Sequence, residues 1–316
     1  MNSRSMNTRS GSRLIAALIA VGLSVALAAC ASGNPLSGNP APSKSGSMSL
    51  TIGATGSPEN QILAQLYGQV LAANGFTVSY NPGIGSREAF VPGLQDGSID
   101  LIPDYTGNLL YFVDTKATAT SAADVNAALV SALPKDLQVL KPAEAVDSDS
   151  LTVTSKFAAE HNLKSIADLA PIASTITLGA NTEFETRPYG RPGLDSVYGV
   201  KGFTFKAIDD YGGAGTLSDL LDNTIQVADI YTTTPSIKQN KLVVLDDPKH
   251  LIAAQNIVPL LNKKVYSEKL ATLLDGVSAK LTTSVLTDLN TISNGADKPL
   301  PEKIAKDWLT QNGFLK

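Results

Sequence analysis

Side chains able to do covalent or metal chemistry are sparse in this chain. There is one cysteine, Cys30, and there are two histidines, His161 and His250. Each histidine stands alone in a polar helix or loop context, without a second ligand at the spacing a zinc site needs. No Gly-x-Ser-x-Gly elbow offers a serine nucleophile. Gly212-Gly-Ala-Gly215 is not followed by Lys-Ser/Thr, so it is a loop and not a phosphate-cradling Walker motif. These patterns point away from an enzyme and call for no metal or cofactor; an exported hydrolase stays only as a formal alternative.

The cysteine has its own chemistry. Arg4, Arg9 and Arg13 precede an apolar run from Leu14 to Ala29, and Leu27-Ala28-Ala29 lead directly into Cys30. A basic n-region, a short apolar h-region and small residues before a cleavage point make a secretory signal. The run over residues 14–29 spans 16 positions, short of the roughly 20 a spanning helix needs. The cysteine behind the small residues resembles a lipobox. The expectation is removal of residues 1–29, lipidation of Cys30, and attachment to the membrane on its extracytoplasmic side. Residues 31–47, rich in Gly, Asn, Pro and Ser, read as part of a flexible tether over 30–48.

The 25 basic and 29 acidic residues give a net charge of −4, and loss of Arg4, Arg9 and Arg13 with the signal leaves −7. An acidic exported chain is a poor candidate for nucleic acid, whose binding rests on neutralised phosphates. From Ser49 onward strand and helix patterns alternate. Ser49–Gly53 alternates polar and apolar. Ser57-Pro58-Glu59 opens a helix with an N-cap serine, a proline and an acid at the positive end, and Asn74-Gly75 closes it. Strands follow at 76–80, 99–102, 151–154, 176–179, 203–208, 227–230 and 242–245. Helices fall at 86–95, from Asp104 to Val113, and at 166–169, 193–198 and 217–221. Residues from Ser267 on are almost wholly helical, with Leu270, Leu273, Leu274, Val277 and Leu281 as a core stripe. This alternation argues an α/β architecture with helices covering mostly parallel sheets.

Several blocks in order resemble the substrate-binding proteins of ABC importers for osmoprotectants, the glycine betaine/choline/carnitine (ProX-like) family. They are Gly83-Ile-Gly-Ser-Arg-Glu88, Gly97-Ser-Ile-Asp-Leu-Ile-Pro-Asp-Tyr-Thr-Gly107, Leu163-Lys-Ser-Ile-Ala-Asp-Leu169, Glu183-Phe-Glu-Thr-Arg-Pro188 and Leu242-Val-Val-Leu-Asp-Asp247. The resemblance implies a two-lobed periplasmic-binding-protein-like fold of type II, with mixed sheets flanked by helices and two interlobe crossovers. One lobe would hold 49–148 plus 252–316 and the other 149–251. It also implies a small-molecule ligand in the cleft, and an ABC permease with its ATPase subunit as partners of a monomer.

The resemblance carries over site residues as well. A quaternary ammonium has charge but no N–H, so aromatic faces must hold it; Tyr105 and Tyr231 match cage positions. Arg187 matches a carboxylate-binding arginine, whose fork suits that group. Other cage positions fall on Asp149 and on Gln255 or Asn256, and an early lysine position falls on Thr55. Only part of the cage is therefore present, with Asp149 and Asp104 as added acceptors. Asn60, in the first turn after Ser57, completes the candidate set.

Plainer readings stand beside each. Tyr105 can be a strand-end core tyrosine, Tyr231 simple sheet packing, Arg187 a partner of Glu183 or Glu185, and Asp149 a solvated loop acid. Arg87 and Glu88 read as a helix-surface or hinge pair. A polyol, sugar-like or phenolic ligand in the same fold, or a surface lipoprotein, remain alternatives.

Overall fold

The computed structural model describes residues 48–316, and Cys30, the signal and most of the tether lie outside them. Among the described residues, ten strands form two five-stranded sheets. The first contains β1 (Ser49–Thr55), β2 (Thr77–Ile84), β3 (Leu101–Tyr105), β4 (Leu137–Val139) and β10 (Ile257–Asn262). The second contains β5 (Leu151–Val153), β6 (Thr177–Ala180), β7 (Thr204–Ala207), β8 (Val227–Asp229) and β9 (Val243–Val244).

The two sheets share one plan. Their orders are β2-β1-β3-β10-β4 and β7-β6-β8-β5-β9. In each, three neighbouring strands are parallel and the fourth runs antiparallel beside them. The sheets are thus mixed, as the family resemblance implied, whereas strand–helix alternation alone argued mostly parallel ones. The missing piece was β10. It is buried at all six positions, so its apolar run has no alternation to read. Pro259 in its middle argues against a strand, yet it pairs with Pro103 in register.

Local signals explain several boundaries. The first helix, α1 (Pro58–Ala73), has proline in its first turn and ends at Asn74. Helix α2 (Arg87–Asp96) ends on Gly97 at φ 84°, the left-handed turn that glycine adopts without strain. Asp104 and Tyr105 belong to β3 and not to the helix after it, because both still pair with β10. That helix, α3, spans Thr106–Val113. A further helix, α4 (Ala122–Ala132), capped by Ser121, and strand β4 went unread in the sequence.

Helices Glu268–Ser278, Thr283–Ser293 and Pro301–Gln311 cover the first sheet with α1. Leu270, Leu274, Val277 and Leu281 of the stripe are fully buried, each side chain contributing about 1.5–3 kcal/mol by leaving water, while Leu273 at its edge is only half-buried.

The chain passes between the sheets twice, after β4 and before β10. Those two segments lie side by side. Val146 bridges Asn256 antiparallel, and the Asp147 N–H donates to the Gln255 carbonyl at 3.2 Å. One apolar core runs across both bodies, joining Leu110 and Val125 to Leu178 and Val227.

Candidate ligand site between the lobes

Parallel α/β sheets present their loops at the carboxyl ends of strands, and ligands collect there. Here the carboxyl ends of both sheets face one cavity. From the first sheet come Thr55 at the end of β1, Ser86 and Arg87 after β2, and Tyr105 at the end of β3. The second sheet supplies Tyr189 after β6, Tyr211 after β7 and Tyr231 after β8. The cavity encloses about 60 Å³. One water needs about 10–15 Å³, so the space suits a compact group of a few heavy atoms.

Four tyrosines and Phe90 therefore line the cavity. Burial pushes all four phenols up, so they are neutral. Each is held. The Tyr105 hydroxyl donates to Glu59 Oε1 at 2.7 Å. The Tyr231 hydroxyl accepts from Asn181 Nδ2 at 3.3 Å. Asn181 also takes the Tyr211 N–H at 3.0 Å, which fixes a residue whose φ is +59°. Tyr211 lies against Gly56, where a Cβ would come within 3.0 Å of the ring. The Tyr189 ring meets Tyr111 at 6.1 Å and Phe184 at 6.2 Å.

The charged groups are mostly spent on each other. Arg87 forks onto Asp104, with Nε to Oδ2 at 3.2 Å. Burial pulls the Arg87 pKa down, but Asp104 more than reverses this, so the guanidinium stays charged. The expected Arg87–Glu88 pair is not formed. Helix α2 turns Arg87 inward to Asp104, while Glu88 meets Arg187 of the other lobe at 2.8 and 3.0 Å. Neither Glu183 nor Glu185 takes Arg187, and Glu185 pairs with Arg191.

Two acid pairs flank the first crossover. Glu59 accepts from Tyr105, from Thr233 Oγ1 at 2.7 Å and from Asn290. Burial, and next the charge of Glu59, push Asp147 well up. Burial likewise raises Asp149, whose Oδ2 accepts from Asn108 Nδ2 at 2.7 Å. Burial and then Asp149 raise Asp229.

Of the residues the sequence singled out, Thr55, Asn60, Asp104, Tyr105, Asp149 and Tyr231 line the cavity. Asn60 spends its amide on the Thr55 N–H (2.9 Å) and the Pro103 carbonyl (2.8 Å). Asp104 faces Arg87. Arg187 and Gln255 are not among the lining residues. Gln255 is locked to α3, accepting the Asn108 N–H at 2.9 Å and donating to Asn108 Oδ1 at 2.7 Å. Sequence reasoning missed Tyr189, Tyr211 and Phe90. The first two shared a signal, since each tyrosine precedes a glycine (Gly190, Gly212) in a loop following a strand.

A cleft closed between two α/β lobes joined by paired crossovers defines a solute-binding protein. The family model for the substrate-binding domain of ABC-type glycine betaine transport systems matches residues 48–311, and the chain belongs to that family. It is 27% identical over 280 residues to a glycine-betaine-binding protein of Pseudomonas aeruginosa, covering 84% of this chain and 88% of that protein. It is also 27% identical over 280 residues to the glycine betaine-binding protein YehZ of Escherichia coli, covering 84% and 92%. The crystal structure of a glycine betaine/carnitine/choline ABC transporter shares the fold, with a TM-score of 0.66, 20% identity, and coverage of 84% of this chain and all (100%) of that one.

The protein is thus a non-enzymatic, extracytoplasmic substrate-binding protein with the two-lobed type II architecture. It takes a small molecule and works with an ABC permease. Among the described residues, no helix is long and apolar enough to cross a membrane.

Proposed function

We propose that the protein captures a small quaternary ammonium osmoprotectant, of the glycine betaine/choline/carnitine class, between its lobes and delivers it to the permease. The observation that carries this is the ring of Tyr105, Tyr189, Tyr211, Tyr231 and Phe90 around one compact cavity that also holds Asp149 and Glu183. A fixed cation with no N–H is attracted by ring faces and by nearby carboxylates, and desolvation strengthens both. Thr55, Asn60, Asp104 and Asp149 shape the wall of this site, while Arg187 and Gln255 act on it through lobe closure and the hinge. The lobes divide at 49–148 plus 252–316 and 149–251. In the same reading residues 1–29 are removed, Cys30 carries lipid, and the monomeric domain stands on its tether.

A thermal-shift panel of betaines, choline, carnitine, ectoine, polyols, sugars and phenolics tests it on the purified protein. A ligand at 100 times its Kd stabilises by about 2.7 kcal/mol, which such a panel resolves. Stabilisation by quaternary ammonium compounds is expected. Silence there with a response to polyols, sugars or phenolics overturns the ligand class.

A further inference from the structure

Two buried carboxyls meet where the first crossover enters the second lobe. The Ile230 N–H donates to the Ser150 carbonyl and the Thr232 N–H to the Ser148 carbonyl, both at 3.0 Å. The antiparallel β5–β8 register, with Leu151 against Asp229, therefore runs on past the strand end. It sets Asp149 opposite Tyr231 and diagonal to Asp229, within reach on one face. Asp149 is 6% and Asp229 5% exposed, and their carboxyls are hydrogen-bonded to each other. Two carboxylates have only acceptors, so such a bond requires a proton on one of them.

The surroundings decide which carboxyl holds it. Burial raises both. For Asp149 the rise is opposed first by Asn108 Nδ2, donating at 2.7 Å, then by the bond from Asp229 and by the charge of Arg87. Asn108 has its Oδ1 taken by Gln255 Nε2 at 2.7 Å, so its amide N–H end is the one that faces Asp149. For Asp229 the charge of Asp149 and the bond to it add to the rise, and the Ser150 N–H at 3.2 Å opposes it. Asp229 is thus the donor and Asp149 the anion. The other charged and titratable groups facing the pair are Arg87 from α2, Glu183 from the turn after β6, and the phenols of Tyr189 and Tyr231. Asp147, on the same crossover, turns instead to Thr233 and Glu59.

We propose that Asp149 is the counter-ion for the ligand's cation and that Asp229 is a positioning residue, donating its proton to Asp149 and so holding the pair at the single negative charge that a single positive charge matches. The proposal rests on the quaternary ammonium reading above and deepens it. Asp149 lines the cavity, and after burial its charge is the largest influence on the phenols of both Tyr189 and Tyr231. A cation between those rings therefore lies in its field. The other acids of the lining offer less. Asp104 is paired with Arg87, Asp147 is bonded to Glu59, and Glu183 is only half-buried, where water screens it. A second proton on the pair discharges Asp149, so proton and ligand compete.

The test is calorimetric titration of choline into the wild type, Asp149→Asn, Asp229→Leu and Asp229→Asn from about pH 4 to 8. Melting curves establish that each protein is folded at each pH. Wild-type affinity should fall as pH is lowered toward the raised pKa of Asp149, by up to about tenfold per pH unit, the slope of one competing proton. Asp149→Asn should weaken choline by about tenfold or more at pH 7.5, the size of a lost buried charge partner, and should abolish that fall. Asp229→Leu is similar in shape but cannot donate, so it should move the midpoint of the fall to higher pH. The amide of Asp229→Asn can donate and should bring the midpoint back. A merely structural role for Asp229 would change affinity without moving the midpoint. An affinity independent of pH, an undiminished fall in Asp149→Asn, or an Asp229→Leu midpoint at or below the wild-type pH overturns the proposal, while choline binding at pH 7.5 leaves the quaternary ammonium reading standing. Absence of choline binding by the wild type at pH 7.5 is a different result: it fails that reading and takes this proposal with it.

Discussion

Tyr105 and Glu59 are joined by a 2.7 Å hydrogen bond from the phenol to the carboxylate, and the same carboxylate takes Thr233 from the opposite lobe. A ring that faces the ligand cavity is therefore anchored by a group that also ties the lobes together. The cavity wall and the contact between the lobes thus share one side chain.

This relationship separates two substitutions. Tyr105→Ala removes the ring and should lower affinity for a quaternary ammonium about thirtyfold, the equivalent of a desolvated cation–π contact of about 2 kcal/mol. Tyr105→Phe keeps the ring but leaves the buried Glu59 short of a donor, at a cost of about 1–3 kcal/mol in stability. Calorimetry and thermal melts on the two variants check the split. Equal affinity for Tyr105→Ala and wild type would remove this ring from the site.

Tyr189→Ala and Tyr211→Ala should weaken binding as Tyr105→Ala does, since their rings line the same cavity. A titration of each variant decides. Gly190 offers a sharper control. A Cβ there would fall 1.8 Å from the Phe184 carbonyl oxygen. Gly190→Ala must displace the loop that carries Arg187 and Tyr189, so loss of binding should come with a lowered melting temperature.

Asp147 makes a prediction about pH with a definite sign. Its folded pKa lies well above the usual carboxylate value, through burial and then Glu59. The unfolded chain ionises near pH 3.9, so the folded state binds more protons above that pH. Stability attributable to this group therefore falls as pH rises from about 4. Asp147→Asn removes the penalty while keeping an acceptor for the Thr233 N–H, which Asp147 takes at 2.9 Å. The variant should melt higher than wild type at pH 7.5, with the gap closing toward pH 4. A gap that widens toward pH 4 contradicts this assignment.

Glu88 runs the other way. Its folded pKa of about 2 lies below the ordinary glutamate value of 4.5. Its contribution is present above pH 4.5 and is lost as pH falls from there toward 2. Melting temperatures across pH 2.5–6 should show a fall in the wild type that is shallower in Glu88→Gln.

How much of this was readable beforehand differs by element. The Ser57-Pro58 start, the Asn74 stop and the Leu270–Leu281 stripe carry their signals within a few residues, and they stand where the sequence put them. Strand β10 does not. Pro259 and an unbroken apolar run hide it, and only its antiparallel register with β3 and β4 makes it a strand. The site shows the same divide. Tyr105 lies in a dense family block. Tyr189 and Tyr211 have no periodic neighbours, and they reach the cavity because β6, β7 and β8 end side by side. Arg187 could be recognised by type, but its partner lies 99 positions away on α2, a distance no local pattern spans.

The proposed function requires this cavity to read positive charge through aromatic faces. Titrating the protein with choline and with 3,3-dimethylbutan-1-ol, which has choline's shape with carbon in place of nitrogen, tests that most directly. Choline is expected to bind about thirtyfold tighter, the gain from about 2 kcal/mol of cation–π attraction. Equal affinities would show that shape and apolar contact alone fill the site, and would contradict it.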